Sequence, residues 1–351
     1  MHEWIDCHVH VLNGGVADVA ELDRSQRETY GYISSNFLSV EGMDDAAQNA
    51  MAIYFKLLDR RNYAFGGLHH RFSYDTGREA RRLWDIGLDG MKMIENKPNE
   101  RKRLGIRQDD ACLDSLYETA SRWNIPLLIH VNDPVENWNW DACSEWAKNA
   151  GYYYGDGTFP SYEQIAEETI AMLERWPKVR FCMAHLFFMS NDEPRLRHLM
   201  ERFPNLNLDI TAGTEMYYAF DSQPEAWRQF FLDFSDRILF GTDNCLPAGP
   251  QDRRIAREIN DLEQNFLIRS DRFPLWDRFI QGAGLPVKTI QRITADNFLR
   301  FAGSKPRPLN REKAIGYLEE RLQDARYHLT DLETGTICGV LEALRSTQAT
   351  D

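Results

Sequence analysis

Cysteine is scarce and scattered: six residues in a chain of 351, at positions 7, 112, 143, 182, 245 and 338, with no C-x-x-C pair. That excludes a disulfide framework and a thiolate metal site, and it suits free thiols in a reducing compartment. No apolar run reaches the length needed to cross a bilayer. Positive charge is also short. Lys and Arg number 41 against 54 Asp and Glu, a net charge of −13, which argues against nucleic acid or an anionic membrane as the main partner. No G-x-G-x-x-G turn follows an early strand, so a dinucleotide site is not indicated. Internal repeats and low-complexity tracts are absent as well. Because a strand begins within the first few residues, the expectation is a chain without a signal peptide, located in the cytoplasm.

What is present is an ordinary globular composition, 43% hydrophobic, at a length that allows one large α/β domain or two smaller ones. The stretch Trp4-Ile5-Asp6-Cys7-His8-Val9-His10-Val11 alternates with the period of a β-strand, which projects His8 and His10 from one face. Two imidazoles placed this way can hold one transition-metal ion if the fold supplies further ligands. Cys7 is expected to point the other way and pack under a helix. Further strands are read at 35–40, 63–68, 90–94, 125–130, 179–185, 206–210 and 237–243. Helical patterns lie between them, among them 76–86, stopped by Gly87, and a helix opened by Ser161 and Gln164 at capping-box spacing. Residues 16–30 are charged and mostly helical in character.

Eight alternations of strand and helix over about 250 residues specify a parallel sheet with helical crossovers, and the fold expected is an α/β (β/α)₈ TIM barrel. An open doubly wound sheet is the rival. The chain after residue 252 reads as largely helical. Residues 1–303 form the expected barrel domain and 304–351 a C-terminal helical extension, which packs on the barrel or on a second subunit. A homo-oligomer is left open.

In such a barrel the C-terminal strand ends converge on the catalytic face. Here those ends carry His8 and His10, then His69 or His70, Lys92 and Glu95, His130, His185, and Asp243. Most of the nine histidines in the chain stand at these positions, which core packing does not explain. The segment 131–159 is the longest strand-to-helix connection and is rich in aromatics, Trp138 and Trp140 among them. It reads either as a substrate wall or as a satellite core under a long loop. Arg253 and Arg254 stand just past the eighth strand, as partners of a substrate carboxylate or as exposed helix residues.

The set Asp6-Cys7-His8-Val9-His10, Ile129-His130, Ala184-His185 and Phe240-Gly241-Thr242-Asp243 resembles the amidohydrolase superfamily. More closely, it is similar to the amidohydrolase-related branch that includes aminocarboxymuconate semialdehyde decarboxylase and pyrone dicarboxylate lactonase. The similarity runs from residue 1 to 303 and leaves the tail after Pro308 uncovered. It implies that His8, His10, His130 and Asp243 ligate a metal, with Asp243 also handling protons, and that His185 orients the metal's water. Binuclear members use a carboxylated lysine on the fourth strand. Lys92 lies in that strand, but mononuclear relatives have a similar lysine, so a single ion is expected. Neutral imidazoles and a carboxylate suit zinc, and manganese tolerates the same donors.

The leading expectation is a metal-dependent hydrolase of a C–N or C–O bond in a small molecule of amide, lactam or lactone type. A non-oxidative decarboxylase of an unsaturated or aromatic acid is the alternative, and an inactive barrel that only binds is a third. Substrate contacts are assigned to His70, Lys92, Trp138, Trp140 and Arg253.

Overall fold

A computed structural model of the chain describes residues 3–11, 23–24, 27–211, 213–246, 250–276 and 278–346. Most of the helical stretch expected at 16–30 lies outside them. Nine strands form one sheet: β1 Trp4–Val11, β2 Tyr32–Leu38, β3 Tyr63–Gly67, β4 Gly90–Asn96, β5 Leu127–Val131, β6 Phe181–Met183, β7 Leu206–Asp209, β8 Ile238–Leu239 and β9 Asn244–Leu246. All neighbours pair in parallel, in the order β8-β7-β6-β5-β4-β3-β2-β1-β9.

Only residues 240–243 separate β8 from β9, so the two are pieces of one stave and the sheet closes on itself. Two backbone bonds complete the seam, from Cys7 N to Phe240 O (3.0 Å) and from Asp243 N to His8 O (2.9 Å). Gly241 makes this close approach feasible. A Cβ there would stand 2.8 Å from His8 Cβ and 3.0 Å from Cys7 Sγ. The (β/α)₈ barrel expected from the alternation is therefore the fold observed. No helix among the described residues is long and apolar enough to cross a membrane.

Helices cover the outside: α1 Gln48–Leu58, α2 Thr76–Ile86, α3 Asp114–Trp123, α4 Tyr162–Arg175, α5 Glu193–Arg202, α6 Thr214–Ser222, α7 Pro224–Asp233 and α8 Pro250–Ile268. Their starts and stops follow local chemistry. Ser161 accepts a hydrogen bond from Gln164 N and opens α4, while Gly87 ends α2 at φ 108°. One hydrophobic core lies between helices and sheet, built on residues such as Val9, Met91, Ile129 and Met183. A second, inside the barrel, contains Ile5, Leu38, Phe65, Leu128, Cys182 and Leu239, with Phe298 of α9 Asn297–Ala302.

Three expectations need correction. Cys7 is not under a helix but in that interior cluster, because the β1–β2 register shifts between Asp6 and Val9 and interrupts the two-residue period. The region after residue 252 is largely helical as expected, but an antiparallel hairpin within it, β10 Arg272–Leu275 and β11 Arg278–Gln281, was not foreseen. The helix α6 lies where none was expected, between β7 and α7. The tail forms α10 Arg311–Gln323 and α11 Asp331–Ser346. It packs on α1 and α2 of the same chain, where Arg321 is buried against Glu41 and Glu79.

Candidate active site

The interior side chains nearest the C-terminal strand ends are polar and buried: His8, Lys92, His130, His185 and Asp209. Three potential ligand atoms, from His8, His10 and Asp243, meet above them. His8 Nε2 lies 3.2 Å from His10 Nε2 and 3.4 Å from Asp243 Oδ1, and His10 Nε2 lies 2.9 Å from Asp243 Oδ1. Atoms held 2.0–2.1 Å from a tetrahedral zinc stand roughly 3.3 Å from one another. The trio thus has the spacing of one face of such a site. Asp243 Oδ1 is buried without a hydrogen bond of acceptable geometry, as is His10 Nδ1. An acceptor left open where three potential ligands meet fits a cation. Among the described residues, His8, His10 and Asp243 are the group of potential ligands that converges.

Protonation supports the same fit. Burial, with Lys92 beside it, pushes His8 down to about 3, and burial also lowers His10, so both rings are neutral with lone pairs available. Burial opposes the charge on Asp243, yet His10 and His8 hold its carboxyl well below the usual range. Its aim is set from β1. Asp6 accepts from Thr242 N (3.1 Å) and from Thr242 Oγ1 (2.7 Å), which fixes the residue before Asp243. Lys92 is buried, lowered to about 8 by burial, and its Nζ is 3.1 Å from His8 Nε2.

His130 is not drawn into the trio. Its Nε2 stands 3.0 Å from Asn132 O and 3.3 Å from Asp133 Oδ1, and its ring packs 5.0 Å from that of His185. The His185 ring is in turn 5.5 Å from that of His8. His185 Nδ1 lies 3.0 Å from Thr211 O, so it donates there and leaves Nε2 as an acceptor. Backbone strain concentrates here. Among the described residues, six of the ten non-glycine residues with positive φ are Asn132, His185, Leu186, Phe187, Phe188 and Asp243, at 50–67°.

Over this floor opens a cavity of about 870 Å³ that His130, His185 and Asp243 help to line. Its walls include Trp146, Tyr152, Glu215 and Arg278. Burial pushes the Glu215 carboxyl up to about 7, assisted by Glu136 and Asp133. Arg278, on β11, lies over the Tyr218 ring at 4.5 Å. The residues expected to contact substrate are distributed differently. Trp138 donates from Nε1 to Pro160 O (3.0 Å) and packs on Tyr154 and Tyr162, so it belongs to the core under the loop. Trp140 is exposed beside Tyr153 and Lys148. His70 is tied to Glu95 at 2.8 Å, away from the cavity wall. Lys92 lies beneath the floor, and the side chain of Arg253 is outside the described set. Asp209, Asp6, Glu215 and Arg278 escaped the sequence reading. Asp209 carried a signal, since it ends a strand as the histidines do.

The model of the family described as Amidohydrolase matches residues 5–285. The chain belongs to the amidohydrolase family. It is therefore an enzyme of a metal-dependent family that acts on small molecules and contains hydrolases and decarboxylases, which sets aside the inactive-barrel reading. No curated protein matches the sequence. Solved structures share the amidohydrolase barrel at low identity. A putative amidohydrolase from Staphylococcus aureus is 13% identical, with a TM-score of 0.55 over 86% of this chain and 99% of that one. A 2,6-dihydroxybenzoate decarboxylase complexed with 2,6-dihydroxybenzoate is 12% identical, with a TM-score of 0.53 over 86% and 99%. A 4-oxalomesaconate hydratase from Rhodopseudomonas palustris is 12% identical, with a TM-score of 0.51 over 91% and 99%. At such identities the likeness speaks to the fold alone.

Proposed function

We propose that this amidohydrolase hydrolyses a C–N or C–O bond of amide, lactam or lactone type in a small molecule, using one divalent ion, zinc by preference. The observation that carries this is the convergence of His8 Nε2, His10 Nε2 and Asp243 Oδ1 at the floor of an open cavity. These three residues would hold the ion, and His130 is assigned as the fourth ligand on the family resemblance alone. An ion held there supplies Lewis acidity, polarising a carbonyl and making water more acidic.

The chain's own groups supply the rest. Asp243, ionised and lining the cavity, accepts a proton from water at the oxygen not facing His10. His185 Nε2 accepts a hydrogen bond and orients the attacking water. Glu215, with its carboxyl near neutrality in pKa, can hold a proton at pH 7 and deliver it to the departing nitrogen or oxygen. Trp146 and Tyr152 offer aromatic surface to a substrate in the cavity. The free cysteines support a reducing compartment, and the cytoplasm is proposed as the location.

One observation favours decarboxylation of an unsaturated or aromatic acid as the second reading. Arg278 faces the cavity with no carboxylate paired to it among the described residues, which suits a substrate carboxylate. A panel of lactones, lactams, amides and aromatic acids, offered to the zinc-loaded protein, separates the two. Ring opening or amide cleavage without CO₂ release is expected. Release of CO₂ from an acid, with no hydrolysis of any ester or amide, would replace the first reading by the second.

A further inference from the structure

We propose that Asp209, at the end of β7, is the positioning residue of this centre, setting the tautomer of His8 and the place of His185 with one carboxylate. The proposal takes His8 as a metal ligand from the functional reading, although its first test does not depend on that.

Asp209 is fully buried and accepts three N–H groups. Oδ2 takes the His8 Nδ1 proton at 2.9 Å, and Oδ1 takes the backbone amides of His185 at 2.8 Å and Thr211 at 3.2 Å. A backbone amide can only donate, so Oδ1 must be an acceptor, and a carboxylate leaves Oδ2 an acceptor too. His8 therefore carries its hydrogen on Nδ1 and turns the Nε2 lone pair toward His10, Asp243 and the Lys92 Nζ 3.1 Å away, a donor that favours the same tautomer from the other side of the ring. Thr211 Oγ1, 3.2 Å from His8 Nδ1, can donate or accept and so follows the tautomer rather than choosing it. The bond to His185 N also pins the first of four consecutive left-handed residues, His185 to Phe188. Thr211, held by the same oxygen, returns its carbonyl to His185 Nδ1 at 3.0 Å. Carboxylate partners of this kind fix ring orientation and raise ligand basicity, and losing one lowers metal affinity by about 10–100-fold.

Asp209→Asn keeps the shape and reverses one polarity. The amide oxygen stays with the two backbone donors, so the NH₂ group faces His8 Nδ1. The NH₂ group drives the His8 hydrogen to Nε2, where the ligand lone pair is needed and where Lys92 Nζ has to turn its own hydrogens away. Histidine ¹⁵N NMR on the metal-free protein, with His8 assigned by loss of its signals in His8→Gln, reads this directly. The wild type should show the Nδ1–H tautomer and Asp209→Asn the Nε2–H tautomer, with cobalt(II) affinity about 10–100-fold weaker in the variant. A purely structural role would lower the melting temperature and leave the ¹⁵N signals where they were. Nε2–H in the wild type, or an unchanged tautomer and cobalt affinity in Asp209→Asn, overturns the proposal. Nδ1–H in a wild type that binds no cobalt upholds the positioning role and removes the metal reading instead. Should Asp209→Asn not fold, the wild-type spectrum and Thr211→Val decide. The valine variant keeps the carboxylate and should keep Nδ1–H, whereas a switch there would assign the role to Thr211.

Discussion

Replacing Arg321 by Met tests whether the C-terminal helices are structurally one with the barrel. Arg321 is 2% exposed, and its guanidinium donates to Glu41 Oε2 at 2.9 Å, Ala46 O at 3.1 Å and Glu79 Oε1 at 3.3 Å. Glu41 is fully buried, and without Arg321 its carboxylate keeps the Asn49 amide at 2.9 Å but no cation. Removing one partner of a buried ion pair costs about 3–5 kcal/mol. In a chain of this size each kcal/mol moves Tm by about 1.4 °C, so a fall of roughly 4–7 °C is expected. Its pH dependence carries a sign. Burial, opposed by Arg321, pushes the Glu41 carboxyl up from 4.5 to about 7. A carboxyl whose folded pKa is raised binds protons more tightly when folded, so its contribution to stability falls as pH rises from 4.5 to about 7. Without the arginine the folded pKa rises further and the fall continues to higher pH. The Tm gap between wild type and Arg321→Met, followed by calorimetry, should be narrow at pH 5 and wide at pH 8. Adding Glu41→Gln should recover part of the loss. A gap under about 1 °C, or one equal at both pH values, would refute the burial of an ionised pair as its cause.

Two further outcomes concern the site. His185→Asn should keep its metal, because His185 is not in the converging trio, and lose about 10²-fold or more in kcat, and metal loss in this variant would make His185 a ligand. Trp138→Ala should lower stability by about 2–3 kcal/mol with little change in KM, since it packs on Tyr154 and Tyr162, whereas Trp146→Ala should raise KM and leave Tm nearly unchanged. Thermal melts and steady-state kinetics on the two tryptophan variants check this, and the reverse pattern would move the substrate wall back to Trp138.

What was legible in the chain depended on how local its cause is. Ser161 capping a helix and Gly87 ending one are decided within four residues, and both stand as read. The convergence of His8, His10 and Asp243 was legible because a strand end on a barrel always faces the same way, whichever strand it is. Cys7 was misplaced because a register shift against β2 is a property of two strands and leaves no mark on one. Asp209 is decided by His8, 201 residues away, and by the His185 amide at the preceding strand end, and a single aspartate at a strand end does not announce them. The hairpin that brings Arg278 to the cavity lies after the last barrel strand, in a stretch whose helical pattern masked two four-residue strands. The tail offered a helical extension, but long-range pairings such as Arg321 with Glu41 and Arg71 with Glu333 decide which surface it covers.

The central claim is that His8, His10 and Asp243 hold a divalent ion on which the chemistry depends. Elemental analysis of the purified protein beside His10→Ala and Asp243→Ala, with circular dichroism confirming the fold, tests it most directly. About one ion per chain in the wild type and little in either variant is the result this account predicts. Stoichiometric metal retained by both folded variants would contradict it.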